Sequence, residues 1–150
     1  MRPALGAAVT MLLAACSTAP ADTVDGLDGT SWRLTEIQSM SDEQGTSVVP
    51  PGQIFTVEFG VRDDGVRQAA FQIDCNRASA PWRATAAETE SSGELSFGPL
   101  ATTEMACPAG SLDQQVTAAL PAVRTYLLQD GQLHLSLFAD SGIMTWAPIG

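Results

Sequence analysis

Asp74-Cys75-Asn76-Arg77-Ala78-Ser79-Ala80-Pro81-Trp82 is the stretch on which the fold turns, and Thr102-Thr103-Glu104-Met105-Ala106-Cys107 answers it with a second cysteine. Immediately upstream, Ala69, Phe71 and Ile73 alternate with Gln68, Ala70 and Gln72, the period of a half-buried strand. Before that strand, Asp63-Asp64-Gly65 supplies the positive φ that a tight hairpin needs, and Phe55, Val57 and Phe59 alternate on its far side. Two strands therefore run into Asp74-Cys75-Asn76, which reads as a strand end and turn. Pro81 to Thr85 reads as a further strand and Glu94 to Phe97 as a short one.

Downstream, Ser111-Leu112-Asp113-Gln114 has the form of a capping box, with Ser111 at the cap and Gln114 three residues on. Leu112, Val116, Ala119 and Leu120 then recur at helical spacing, and Pro121 stops the helix near Leu120. Tyr126 to Gln129, Asp130-Gly131 and Gln132 to Phe138 form a hairpin with Leu133, Leu135 and Leu137 inward and His134 outward. Asp140-Ser141-Gly142 turns the chain once more into Ile143 to Ala147, where Met144 and Trp146 share a face. At the other end of the domain, Trp32 and Leu34 share one face of a first strand from Gly29 to Ile37. Gln38 to Gln53 is polar, ends in Pro50-Pro51-Gly52 and reads as a loop.

The first residues read as an address. Arg2 is followed by an apolar run from Ala4 to Ala15 and then Cys16, the shape of a signal peptide. The run is too short to span a bilayer, which needs about 20 apolar residues. Leu13-Ala14-Ala15-Cys16 reads as a bacterial lipobox in which the Cys16 thiol takes the lipid; a secretory signal cut after Ala19-Pro20-Ala21 is the other reading. Ser17, where an Asp would favour inner-membrane retention, directs the expectation to the outer membrane, facing the periplasm. Residues 1–15 are thus a signal peptide, 16–28 a flexible tether of small and polar residues, and 29–148 one folded domain.

The composition, 45% hydrophobic and 16% charged, is that of a folded chain. Seven Arg and no Lys stand against 17 Asp and Glu, for a formal charge of −10. Nucleic-acid affinity depends on Lys and Arg neutralising phosphates, so that partner class is set aside. The acidity serves solubility, and leaves a cationic protein partner electrostatically open.

Taken in order, Gly29-Thr30-Ser31-Trp32, Cys75-Asn76 with Trp82, Leu100 to Cys107, one helix and a terminal hairpin resemble the META domain of HslJ-like bacterial envelope lipoproteins. The resemblance covers about residues 28 to 148. It implies a mainly β (α+β) domain, a strongly curved antiparallel sheet or partly open barrel with one packed helix. Its motif residues are Trp32, Asn76, Thr103 and Met105. Two positions depart from the family pattern, Asp74 where a small residue precedes the Cys-Asn pair and Ala80 where a Gly precedes the later aromatic.

Once Cys16 is lipidated, Cys75 and Cys107 are an even pair in a compartment that permits disulfides, and a bridge is the expectation. Two buried thiols are the alternative. Asn76 beside them has a structural reading, as a turn residue, and a lesser one as a ligand contact. Two cysteines and His134 are too few for a metal site, and nothing ties His134 to a nucleophile. No catalytic residue, metal or cofactor is expected. The function implied is that of a non-enzymatic, monomeric, lipid-anchored envelope protein in stress response or envelope maintenance. The alternatives are an acidic periplasmic binder or inhibitor of a cationic enzyme such as lysozyme, and a binder of a small apolar ligand within the sheet.

Overall fold

The computed structural model describes residues 26–41 and 43–150. The lipobox with Cys16, and most of the tether, lie outside the described residues. Ten strands make one antiparallel sheet, and eight of them close on themselves. In chain order these are β1 (Ser31–Ser39), β3 (Phe55–Val61), β4 (Arg67–Ile73), β5 (Asn76–Ala86), β6 (Ser92–Phe97), β8 (Val123–Gln129), β9 (Gln132–Leu137) and β10 (Gly142–Pro148). Two short strands, β2 (Thr46–Val48) and β7 (Ala101–Thr102), attach to β1 and β5. Closure is made by β1 against β10, from Trp32 opposite Pro148 to Ser39 opposite Gly142. The curved sheet expected from the sequence is therefore a closed barrel.

The alternating residues fill its interior. Phe55, Val57 and Phe59 from β3, Ala69, Phe71 and Ile73 from β4, and Leu133 and Leu135 from β9 are all buried. Phe59 packs edge-on against Trp82 at 5.1 Å between ring centroids, and Phe97 meets the edge of Phe71 at 5.1 Å. Leu34 and Ile37 are three apart yet both buried, an odd spacing that a regular strand forbids. The β1–β10 register shifts between Leu34 and Glu36, so the extra residue, Thr35, restores the inward phase. A shift between Val123 and Thr125 does the same for Val123 and Tyr126 on β8.

Several expectations are corrected. β5 is one strand of 11 residues, so Asn76 and Arg77 begin a strand and the turn is Asp74-Cys75, where Asp74 takes φ 53°. Ala80 needs no turn geometry, because it is fully buried mid-strand opposite Ala69. Pro81 is tolerated where β5 changes neighbours: β7 pairs Ala78 and Ser79, and β6 takes over at Trp82. The Pro81 carbonyl accepts from Gly98 N–H at 2.7 Å, and a Cβ at Gly98 would lie 2.7 Å from the proline ring. The Gln38–Gln53 loop contains the end of β1 and all of β2, whose polar Thr46-Ser47 gives no apolar alternation. Leu27, assigned to the tether, is fully buried, and Asp28 accepts two hydrogen bonds from Arg67, each 3.0 Å. That bond is the main cause holding the Arg67 pKa above its usual value, against desolvation. The ordered domain thus starts before residue 29.

The helix α1 (Asp113–Ala119) continues into a 3-10 turn, Leu120–Ala122, that accommodates Pro121. It lies across the end of the barrel where β4 turns into β5, and Val116, Ala119 and Leu120 enter the core. The capping box does not form. The Ser111 hydroxyl accepts from Asp113 N–H at 3.2 Å and donates to the Asp74 carboxylate at 2.6 Å, while Gln53 Oε1 accepts from Leu112 N–H at 3.0 Å. The chain enters at the opposite end, with β1 spanning about 30 Å between the two at about 3.3 Å per residue.

Tyr126 is buried on β8, and its hydroxyl donates to the Glu90 carbonyl at 3.3 Å. Desolvation first, and the Glu90 carboxylate second, raise its pKa above the ordinary 10.0. The folded state therefore holds this proton more tightly than the unfolded one, so the contribution is complete below pH 10 and is lost as pH rises beyond it. Chemical denaturation between pH 8 and about pH 11 should show a fall in stability that Tyr126→Phe removes.

Candidate functional site

The helix-capped end carries a large concave surface, a cleft of about 980 Å³. One wall is the end of β1 with the loop that follows, including Ser39, Met40 and Gln44. The second is α1, through Gln114, Gln115 and Ala118, and the third is the β9–β10 connection, through Leu137, Ala139 and Asp140. Ile37, Ala119, Ala122 and Leu137 give it an apolar floor, and the rest of the lining is mostly hydroxyl and amide, with Asp140 as its one carboxylate. This volume lies in the ordinary range for small-molecule sites.

The β9–β10 connection is strained. Ala139 and Asp140 both adopt left-handed backbone, φ 54° and 53°, at a cost of about 1–2 kcal/mol per residue outside glycine. Met40 N–H donates to the Ser141 carbonyl at 3.0 Å and ties the first wall to the third. Met40 remains 49% exposed, and the neighbouring Phe138 is 62% exposed beneath the Arg124 guanidinium at 5.3 Å.

A second cleft of about 510 Å³ lies on the other flank of α1, against the segment Thr102 to Ala106. Asn76 sets the position of that segment. The residue is 5% exposed, and its side-chain amide acts as a neighbouring strand would: Nδ2 donates to the Met105 carbonyl at 3.0 Å and Oδ1 accepts from Met105 N–H at 2.7 Å. Thr103 Oγ1 donates to Asn76 Oδ1 at 2.9 Å and accepts from Arg77 N–H at 3.0 Å. The Cys75–Cys107 disulfide, with Cα atoms 5.5 Å apart and a sequence separation of 32, closes the far side of this clamp. Of the expected motif residues, Asn76 and Thr103 thus act together, whereas Met105 contributes its backbone and leaves its side chain 62% exposed.

A family model described as META domain matches residues 25–146. The chain belongs to the META domain family. Its barrel is similar to an NMR structure of a protein from Burkholderia xenovorans, 24% identical, with 94% of this chain and 99% of that one covered at a TM-score of 0.63. A crystal structure of a DUF4847 family protein from Bacteroides vulgatus is also similar, 12% identical over 82% of this chain and 94% of that one, at a TM-score of 0.47. No curated protein matches.

Elsewhere in the META domain, Trp32 stands apart from the clamp at the opposite end of β1. Its ring is buried and its Nε1–H donates to Thr30 Oγ1 at 2.8 Å, which in turn donates to the Leu27 carbonyl at 2.6 Å. His134 lies half-buried on the outer face of β9, with Nδ1 3.3 Å from Thr145 Oγ1. Among the described residues no group of three or more His, Cys, Asp or Glu is placed to hold a metal. Sequence reasoning missed the large cleft, because its walls come from three segments distant in the chain and read singly as loop, helix and turn. Double left-handed backbone at Ala139-Asp140 had no glycine to signal it.

The clamp makes a discriminating prediction. Asn76→Ala removes both hydrogen bonds to the Met105 backbone and the acceptor of the Thr103 hydroxyl, and should lower stability in urea by about 1–3 kcal/mol. Met105→Ala, which keeps every backbone contact, should leave the midpoint unchanged. Replacing both Cys75 and Cys107 by Ser should cost roughly 3–4 kcal/mol on the chain-entropy account of a loop this long.

Proposed function

We propose that this META-domain chain is a non-enzymatic, HslJ-like lipoprotein of the bacterial cell envelope, held by Cys16 on the outer membrane and facing the periplasm as a monomer. Its role is in stress response or envelope maintenance, exercised by binding and not by catalysis. The observation that carries this reading is the division of the molecule into two poles. The segment bearing the lipobox joins the barrel at the Leu27–Ser31 end, and the large cleft opens at the other end of β1, beginning at Ile37, about 20 Å along the strand. A protein tethered at one pole presents the other to the periplasm. The barrel interior is occupied by aromatic and aliphatic side chains, so an apolar ligand within the sheet is the less supported alternative, and binding is assigned to the cleft.

Fractionation of cells tests the anchor. The native chain should sediment with outer membrane and Cys16→Ser should appear in the soluble periplasm; an unchanged distribution sinks the lipoprotein assignment. A deletion strain should show altered tolerance to envelope stress, restored by the native gene.

One observation favours a second reading, an acidic partner for a cationic secreted enzyme such as lysozyme. Asp28, Asp63, Asp64, Glu88, Glu90 and Asp130 all sit in the segments at the tether pole, where Arg62 pairs with Asp64 and Arg67 with Asp28. Binding through this pole should be strong at low salt and weaken as salt is added. Lack of lysozyme inhibition at low ionic strength removes the reading.

A further inference from the structure

We propose that the cleft at the helix-capped pole binds a small cationic amphiphile, a molecule with one ammonium-type head and a compact apolar body. Its chemical asymmetry is the argument. In a chain with 17 acids and seven Arg, the lining is almost without charge: among the described residues Asp140 is its one ionisable member. No hydrogen bond or ion pair partners the Asp140 carboxylate among the described residues, and its left-handed backbone fixes it at the rim. Glu43, exposed between the lining residues Ser41 and Gln44, puts a second carboxylate on the loop that follows β1.

Among the described residues no Arg or His lines the cleft. Arg124 lies over Phe138, and its Nη1 donates to the Pro121 and Val123 carbonyls at 3.0 and 2.7 Å. An anionic head would therefore meet carboxylate with no compensating cation, whereas an ammonium meets a carboxylate and neutral acceptors such as Gln44, Ser47 and Ser141. Below the rim, Ile37, Ala119, Ala122 and Leu137 offer apolar surface to the ligand body, and the exposed Met40 adds an adaptable side chain at the mouth. The small alanines on the helix side leave room for a ring. Affinity comes from burying the body, and the head chooses the sign of charge.

This inference goes beyond the envelope assignment and is independent of the anchor, because it is read on the cleft whether or not Cys16 is acylated. The full chain in its Cys16→Ser form, labelled for amide NMR, is titrated with three probes sharing one body: 4-phenylbutylammonium, 4-phenylbutan-1-ol and 4-phenylbutanoate. The ammonium should shift the amides of Met40, Gln115 and Ser141 and bind about two- to fivefold more tightly than the alcohol, the range that an exposed ion pair supplies. The carboxylate should bind most weakly. Asp140→Asn keeps the left-handed backbone that Asn tolerates and should erase the difference between ammonium and alcohol. Gln115→Trp, placed to fill the cleft from a half-buried helix position, should abolish binding of all three while its spectrum stays folded. Equal binding of the three probes, tighter binding of the carboxylate, shifts confined to other surfaces, or an Asp140→Asn protein that still prefers the ammonium overturns the proposal.

Discussion

Everything in this domain depends on the meeting of its first strand and its last. β1 spends one edge on β3 and β2 and the other on β10, and only that second pairing turns a curved sheet into a barrel. Closure removes the long free edges that make an open sheet prone to pair with other chains; what remains is β2 and β7, three and two residues long. It also fixes how much volume the interior must absorb. Trp32, Trp82 and Trp146, with Phe55, Phe59, Phe71 and Phe97, meet that demand, and Ala69 opposite Ala80 gives way where the large rings crowd.

The helix-capped end is held by polar contacts of a different character. Asp74 turns the chain, receives the Ser111 hydroxyl and thereby joins the β4–β5 turn to the start of α1. Gln53 reaches the same place from the β2–β3 loop, accepting from Leu112 and donating to the Gly110 carbonyl at 2.9 Å. Asn76 and the disulfide then hold the segment from Thr103 to Cys107 beside the helix. The departure from the family pattern at Asp74 is thus a helix tie, and the position of α1, on which both clefts depend, follows from it. The two clefts are shaped here by a few directed bonds set on top of a hydrophobic barrel.

What could be read in advance followed local period. Phe55-Val57-Phe59, Leu133-Leu135 and Met144-Trp146 declare their faces within five residues, and Asp-Gly declares two turns. Asn76 and Thr103 stood out only by resemblance, because an amide that imitates a strand looks, in sequence, like any turn residue. Pro81 misled for a good reason: its effect depends on which neighbour faces its missing N–H, and here that neighbour changes from β7 to β6 at that point. The odd spacing of Leu34 and Ile37 hid a bulge that only the β10 register exposes. The cleft was illegible for the same cause, since it is a relation among Ser39, Gln115 and Asp140 that no single stretch contains.

The acidic segments at the tether pole have a mechanical meaning under the proposed anchor. A bilayer leaflet that carries negative charge repels them within about 8 Å at physiological salt, while the lipid pulls the same pole inward. Under that anchor the barrel would ride at a standoff that depends on ionic strength, with its carboxylate-bearing face repelled and its cleft outward. Orientation in the periplasm, on this view, is written in the placement of a few carboxylates and needs no second contact with the membrane.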